Sequence, residues 1–323
     1  MSRQTVVVVN PASANGRTGK RWPELAARLR ARVDTFDVLF TEAPEQATTL
    51  TRAALEGGAR QVISVGGDGT HNEVVNGFFR DGEPLAPEAT LSIVPTGTGG
   101  DLRRTLGLPN DALEAIDRVG ERPVRCDLGR LTFTASDGAT ATRLFVNIAS
   151  FGVSGLVDKL VNTSSKALGG KASFLIGVGR AAIRYKNQRV RMTLDAGEPF
   201  ERTLYNGVVA NARFFGGGMK VAPDADPTDG LFDVVVMGDL GTLDLARGLP
   251  KLYAGEHLGL PKIELHRARR VHAEPVDPDD EVLIDMDGEQ PGRLPATFEL
   301  LPGALRLCVG PEAGWADGRA DGA

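Results

Sequence analysis

At 323 residues the chain is too long for one ordinary core and suits two domains. Hydrophobic residues at 41% and charged residues at 24% fit a soluble globular protein, and a net charge of −5 gives no global basic field for nucleic acid. The two cysteines, Cys126 and Cys308, lie far apart with neither CxxC spacing nor a histidine cluster beside them. That argues against a disulfide framework or a zinc site and predicts two buried thiols in a reducing, cytoplasmic setting.

In chain order, the apolar run Val6–Val9 is too short for a signal-peptide core and stops at Asn10-Pro11, so it predicts a buried first strand. No stretch approaches the ~20 apolar residues of a membrane span. A helix follows, with Trp22, Leu25, Ala26 and Leu29 on one face. Next come a strand at Phe36–Phe40, a helix from about Pro44 to Glu56 stopped by Gly57-Gly58, and a strand at Gln61–Val65. The loop Gly66–Gly69 opens a helix over Thr70–Phe79, and the strand Thr90–Val94 ends in the loop Pro95–Gly100. Asn110 is the expected cap of a helix ending near Gly120. Alternating strands and helices with short connections predict a parallel, Rossmann-like α/β sheet covered on both faces.

After Val124 period-2 segments dominate: Val124–Phe133, Ala141–Ala149, Arg189–Asp195, Glu201–Asn211, Leu231–Met237, Lys262–Ala273, Glu281–Asp287 and Ala296–Leu300. They predict a mostly antiparallel β-sandwich, interrupted by helices near Gly155–Val161, Lys171–Tyr185 and Thr242–Leu252. The expected domains are residues 1–124 for nucleotide and 125–303 for the substrate, with a flexible tail at 313–323. A last strand, Leu305–Val309, within residues 304–312, could return to the first domain.

Two glycine-rich loops carry the chemical signal. Val65-Gly66-Gly67-Asp68-Gly69-Thr70-His71-Asn72-Glu73 runs from a buried strand into a helix, where glycines let backbone approach phosphate and the helix end supplies N–H groups. Asp68 would repel phosphate unless a metal ion or a catalytic proton justified it. Pro95-Thr96-Gly97-Thr98-Gly99-Gly100-Asp101 repeats the design. With Asn10-Pro11-Ala12-Ser13-Ala14-Asn15-Gly16, three loops leave the carboxyl edge of one sheet, the edge where open α/β sheets bind ligands. There is no GxxxxGK[ST] and no GxGxxG at the first turn, which argues against a P-loop NTPase and a dinucleotide oxidoreductase.

These residues, in this order, resemble the diacylglycerol kinase catalytic-domain family, which includes bacterial soluble lipid kinases and sphingosine kinases. The likeness extends through Phe145-Val146-Asn147, Ser150-Phe151-Gly152, Asn206-Gly207, Phe215 to Gly218, Ala222 to Ala225, Asp229-Gly230-Leu231 and Asp287-Gly288-Glu289. It implies an ATP-dependent lipid kinase using magnesium, peripheral to a membrane, acting on a lipid such as diacylglycerol, without nucleic acid and compatible with a homodimer. By the same resemblance Asn10, Thr41, Gly66, Gly67, Asp68, Gly69, Thr70, His71, Asn72 and Thr98 would contact ATP. Asp68 and Asp101 would organise catalytic magnesium. Asp229, with the carbonyls of Asp226 and Leu231, would hold a structural magnesium, and Asp287 or Glu289 would take the proton from the lipid hydroxyl. One departure is Gly100, where the family usually has Asn.

Two other readings use the same residues: an NAD kinase, whose superfamily shares the Gly-Gly-Asp-Gly loop, and a nucleotide- or lipid-binding relic. The late Asp287-Gly288-Glu289 turn favours the lipid group over the first, and retention of Asp68, Asp101, Asp287 and Glu289 argues against the second. Between Asp158 and Asp195 the chain has no acid but carries Lys159, Lys166, Lys171, Arg180, Arg184, Lys186, Arg189 and Arg191, interleaved with Phe174, Leu175, Ile176 and Val178. Such a run is either a solvated basic face or an element attracted to anionic lipid.

Overall fold

The computed structural model describes residues 5–163 and 185–317. The chain divides into one unit of residues 1–127 and 302–323 and another of residues 128–301.

In the first unit the elements alternate as the sequence predicts. They are β1 Thr5–Val9, α1 Arg17–Arg32, β2 Asp37–Phe40, α2 Gln46–Glu56, β3 Gln61–Gly66 and α3 Asp68–Gly77, then a small hairpin of β4 Phe79–Arg80 and β5 Glu83–Pro84, and β6 Thr90–Pro95, α4 Asp101–Thr105 and α5 Ala112–Ile116. β2, β1, β3 and β6 lie side by side and parallel, with Val9 level with Val65 and Gly66 level with Pro95. Arg306 and Leu307 from the end of the chain add parallel to β6. The strands are apolar on both faces because helices cover both. On one face Val7, Val9, Ile63, Val65 and Val94 pack with Leu25 and Leu29 of α1 and Ile116 of α5.

The remaining strands belong to the second unit, except that β7 begins and β17 ends in the first: β7 Pro123–Ala135, β8 Thr140–Phe145, β9 Ile148–Gly152, β10 Gln188–Leu194, β11 Phe200–Leu204, β12 Asn206–Ala210, β13 Phe232–Met237, β14 Ile263–Ala268, β15 Arg270–Pro275, β16 Ile284–Met286 and β17 Gly292–Cys308. Helices α6 Val153–Thr163 and α7 Thr242–Ala254 interrupt them. One antiparallel sheet has the order β14-β13-β12-β9-β16. The other runs β11-β10-β15-β17, all antiparallel. Phe145, Phe151, Phe232 and Phe298 pack with Val190, Val234 and Val271 as the core of this sandwich.

Three long period-2 runs each prove to be two strands. They break at Val146-Asn147, at Tyr205 and at Arg269, where the chain leaves one sheet of the sandwich and enters the other. The core-facing side is kept at the first break, from Phe145 to Ala149, and slips by one residue at the other two, from Leu204 to Val209 and from Ala268 to Val271, a slip that periodicity alone does not separate from a continuous strand. The opposite happens at Leu301-Pro302-Gly303: the turn-like residues lie inside one strand, β17, with the Gly303 N–H on Asp127 Oδ1 at 2.7 Å.

Two further expectations change. Asp111, not Asn110, caps α5, its carboxylate accepting the N–H groups of Leu113 (2.9 Å) and Glu114 (3.3 Å). The tail is packed through residue 317, with Ala313 and Ala316 buried and Trp315 Nε1–H on the Thr105 carbonyl at 2.8 Å. The helix expected at Lys171–Tyr185, with Phe174 to Val178, lies outside the described residues except for Tyr185, as do Lys166, Lys171, Arg180 and Arg184. Of the basic run's described members, Arg189 pairs with Glu201 at 2.7 Å, and Arg191 pairs with Glu201 at 2.8 Å and Glu274 at 3.0 Å. Neighbouring strands supply the acids that the run itself lacks.

Candidate active site

Parallel pairing brings the carboxyl ends of β1, β2, β3 and β6 to one edge, and side chains then tie their loops together. Asn10 Nδ2 donates to Thr70 Oγ1 at 2.9 Å, while Asn10 Oδ1 accepts the Ala12 N–H at 3.0 Å. The Thr18 hydroxyl donates to the Thr96 hydroxyl at 2.8 Å. The N–H groups of Thr96 and Gly97 both reach the Gly66 carbonyl, at 2.8 and 3.1 Å, and the Thr41 N–H reaches Val9 at 2.9 Å. A Cβ on Gly97 would lie 2.6 Å from the Gly67 Cα, so these two loops touch backbone to backbone and only glycine fits.

Asp68 begins α3, and its Oδ2 accepts N–H groups of the next loop, from Gly100 at 2.8 Å and Asp101 at 3.4 Å. One carboxylate oxygen thus fastens two phosphate-type loops together, which leaves Oδ1 for a cation. Asp101 is buried, and Arg104 Nη1 bridges its Oδ1 at 2.8 Å to the Gly99 carbonyl at 2.7 Å. Arg103 lies close by. Burial, with neighbouring Arg104, pushes its guanidinium below its ordinary value against the pull of Asp68 and Asp101. Neither arginine belongs to a motif that marks it in the sequence. Gly100 has φ +67°, a left-handed backbone that Asn also tolerates, and a Cβ there would meet Arg103 Nε at 3.0 Å. The departure from the family's Asn therefore preserves the local backbone.

His71 and Asn72 are buried in α3. His71 Nδ1 shares a hydrogen bond with Ser64 Oγ at 2.7 Å, and burial lowers its pKa to about 4 despite the charge of Asp68. It is a neutral interior residue. Thr98 is exposed on its loop, whereas Thr41 and Thr70 are buried.

In the second unit the late acidic turn separates its two acids by role. Asp287, at φ +51°, accepts three backbone N–H groups: Val146 at 3.1 Å on Oδ2, Asn147 at 3.2 Å and Ile148 at 2.9 Å on Oδ1. These are the N–H groups freed where the chain changes sheets. Glu289 is 41% exposed and ion-paired with Arg143 at 2.9 Å. Asp285, missed in the sequence, is buried between them and β9. Its Oδ1 accepts the Gly288 N–H at 3.0 Å, and its Oδ2 lies 2.9 Å from Ser150 Oγ. The signal available was an acid flanked by Ile284 and Met286 in a short apolar strand.

The turn expected to hold structural magnesium is drawn together, but its carboxylates are engaged. Asp226 Oδ1 accepts the Thr228 N–H at 3.0 Å and hydroxyl at 2.6 Å, and Asp229 Oδ1 accepts the Leu231 N–H at 3.0 Å. Arg267 pairs with Asp229 Oδ2 and, at 3.0 Å, with buried Asp233. The Arg267 guanidinium therefore lies against the Asp229 carboxylate. Among the described residues no group of three or more His, Cys, Asp or Glu side chains is arranged to hold a metal.

Residues 4–131 match the family model described as the diacylglycerol kinase catalytic domain. Residues 147–309 match the YegS C-terminal NAD kinase beta sandwich-like domain. The chain is 29% identical to a diacylglycerol kinase of Mycobacterium tuberculosis over 94% of each chain. It is 27% identical to one of Staphylococcus carnosus over 92% of each. A crystal structure of a diacylglycerol kinase from Bacillus anthracis has a TM-score of 0.68 at 22% identity, covering 96% of this chain and 98% of that one. Yeast NADH kinase, solved with NADH, has a TM-score of 0.52 at 9% identity over 98% of this chain and 85% of its own; both structures speak to fold alone. With the first-unit loops under one model and half of the chain under the other, the chain belongs to the diacylglycerol kinase catalytic-domain family.

Proposed function

We propose that the protein transfers the γ-phosphoryl group of ATP to the hydroxyl of a lipid such as diacylglycerol. The observation that carries this reading is the fastening of three loops at one sheet edge through Asn10–Thr70, Thr18–Thr96 and Asp68–Gly100. Phosphoryl transfer asks a protein mainly for positioning, charge neutralisation and a base. The loop N–H groups and the start of α3 would receive phosphate oxygens. Asp68, through Oδ1, and Asp101 fit a divalent cation, which when bound would offset phosphate charge.

Of the two late acids, Glu289 is the better proton acceptor. The lone pairs of Asp287 face three N–H donors, so Asp287 fixes the turn, whereas Glu289 is half-exposed and oriented by Arg143. The curated relatives named diacylglycerol kinase support a lipid acceptor. A lipid acceptor would bring the protein to a membrane surface, and no helix among the described residues is long and apolar enough to cross a membrane. The test is radiolabelled ATP offered with a panel of lipids in mixed micelles, with NAD alongside. Label in a lipid that disappears with Asp68→Ala supports the reading, and label in NAD alone overturns it.

A further inference from the structure

Behind the acidic turn lies a second pair of carboxyl groups that the proposed chemistry does not use. Asp158, on α6, and Asp285, on β16, face each other at hydrogen-bond range in the second unit, Asp285 buried and Asp158 partly exposed. Two ionised carboxylates have no hydrogen to share, so a hydrogen bond here requires one proton between them.

The surroundings decide where that proton sits. Asp285 receives the Gly288 N–H at 3.0 Å and lies 2.9 Å from Ser150 Oγ. Ser150 is 2.7 Å from Ser154 Oγ, and Asn206 Oδ1 accepts the Ser154 N–H at 3.2 Å. The Ser154 hydroxyl donates to Asn206 Oδ1 at 2.9 Å, and the one hydrogen of Ser150 faces both Ser154 Oγ and Asp285 Oδ2, so Asp285 receives the Gly288 N–H and a share of the Ser150 hydrogen. Asp158 has the opposite setting: its Oδ2 is sealed from solvent and has no hydrogen-bond partner. The charge belongs on Asp285 and the proton on Asp158. Burial and the nearby charges of Asp285 and Glu289 push the Asp158 carboxyl well above the ordinary range, in agreement with this placement.

We propose that Asp158 and Asp285 share one proton, and that this pair is a positioning element for the Asp287–Glu289 turn. Asp285 reaches the turn through the Gly288 N–H, and Asp158 ties the turn to α6. Among the described residues, the other groups facing the pair bring it no cation. Tyr185 and Tyr205 pack with Val153 and Val157 of α6, Glu289 is bound to Arg143, and Lys159 lies 3.7 Å from Glu281. Loss of the shared proton at alkaline pH sets two carboxylates against each other and loosens the turn. The proposal rests on the kinase reading only for the role of Glu289; the proton and the turn are tested apart from it.

Infrared difference spectra of the full chain, parent minus Asp158→Asn at neutral pH, should contain the carbonyl stretch of a protonated carboxylic acid. Hydrogen exchange, corrected for intrinsic rates, is then followed at the N–H groups of Val146 to Ile148 and Gly288. Protection there should fall by at least about tenfold in Asp158→Ala, and in the parent as pH is raised. Asp158→Asn, whose amide still donates to Asp285, should restore protection and remove the alkaline loss. If Asp158→Ala fails to fold, Asp158→Asn against parent across pH decides the matter. No protonated-acid band, or identical alkaline exchange in parent and Asp158→Asn, overturns the shared proton. A band without any change in exchange overturns the positioning role. A parent that phosphorylates no lipid refutes the kinase reading while leaving both of these measurements decisive for the pair.

Discussion

Replacing Asp287 with Asn should mainly destabilise the fold, whereas replacing Glu289 with Gln should mainly stop the chemistry. In Asp287→Asn one carboxylate oxygen becomes an NH2 group. If that group faces Val146, a donor meets a donor and the 3.1 Å bond is lost. A hydrogen bond to a charged group contributes about 1.5–3 kcal/mol. The remaining two, from Asn147 and Ile148, become neutral and lose roughly half their strength. The sum is about 3–6 kcal/mol, a large share of the ~5–15 kcal/mol that holds a typical domain. Glu289 is more than a third exposed, so its pair with Arg143 contributes only about 0–1 kcal/mol. Removing a general base typically lowers kcat by about 10²–10⁴-fold. Urea melts at neutral pH and turnover at saturating ATP would separate the two. An Asp287→Asn protein within about 1 kcal/mol of the parent, or a Glu289→Gln protein with near-parental kcat, would refute this division of labour.

Asp68→Ala should abolish turnover while costing about 1–2 kcal/mol through the lost bonds to the start of α4; activity within about tenfold of the parent would remove Asp68 from the mechanism. Gly100→Asn should keep parental stability and turnover within roughly threefold, since both residues accept φ +67°. A melting temperature well below the parent's would mean that Arg103 cannot move aside. For His71 the unfolded chain takes a proton near the ordinary value of 6.5, and the folded chain only near pH 4. Acid therefore favours unfolding across that window, by about 1.4 kcal/mol per pH unit, and stability is regained above it. His71→Gln should lack this slope in melts between those limits, and an unchanged slope would assign it to other groups.

What was legible in the sequence was local. Strand, glycine loop and helix follow one another within a dozen residues, so both phosphate-type loops and their shared edge could be read before any coordinates. The partners that give the loops their form were not legible. Asn10 meets Thr70, and Thr18 meets Thr96, across stretches that no spacing rule connects. The same holds for Asp287: its acid turn is visible in the sequence, but its donors lie at the break between β8 and β9, inside what reads as one strand. Asp158 and Arg267 were hidden for a related reason, since each resembles an ordinary surface charge until the packing of α6 or β14 gives it an acid neighbour. Gly100 shows the converse. Read by chemistry it is a lost amide; read by backbone conformation it is a conservative replacement.

Magnesium provides a last test, at the Asp226–Leu231 turn. A metal there would need Asp229, whose carboxylate already pairs with Arg267 and accepts the Leu231 N–H. Arg267 also neutralises Asp233, which is buried and whose pKa burial raises. Magnesium can bind only by displacing the guanidinium, so without nucleotide it should move the parent's melting temperature little. Arg267→Gln removes the competitor and leaves Asp229 and Asp233 uncompensated. That variant should be destabilised, by about 2–3 kcal/mol given that Arg267 is itself partly exposed. It should then recover with magnesium: at tenfold excess over its dissociation constant a ligand bound only by the folded state returns roughly 1.4 kcal/mol. Thermal melts of parent, Arg267→Gln and Asp229→Ala with and without magnesium measure all three. A gain in the parent equal to that in Arg267→Gln, and absent from Asp229→Ala, would show that the turn accepts the metal with Arg267 in place and that the guanidinium is no competitor.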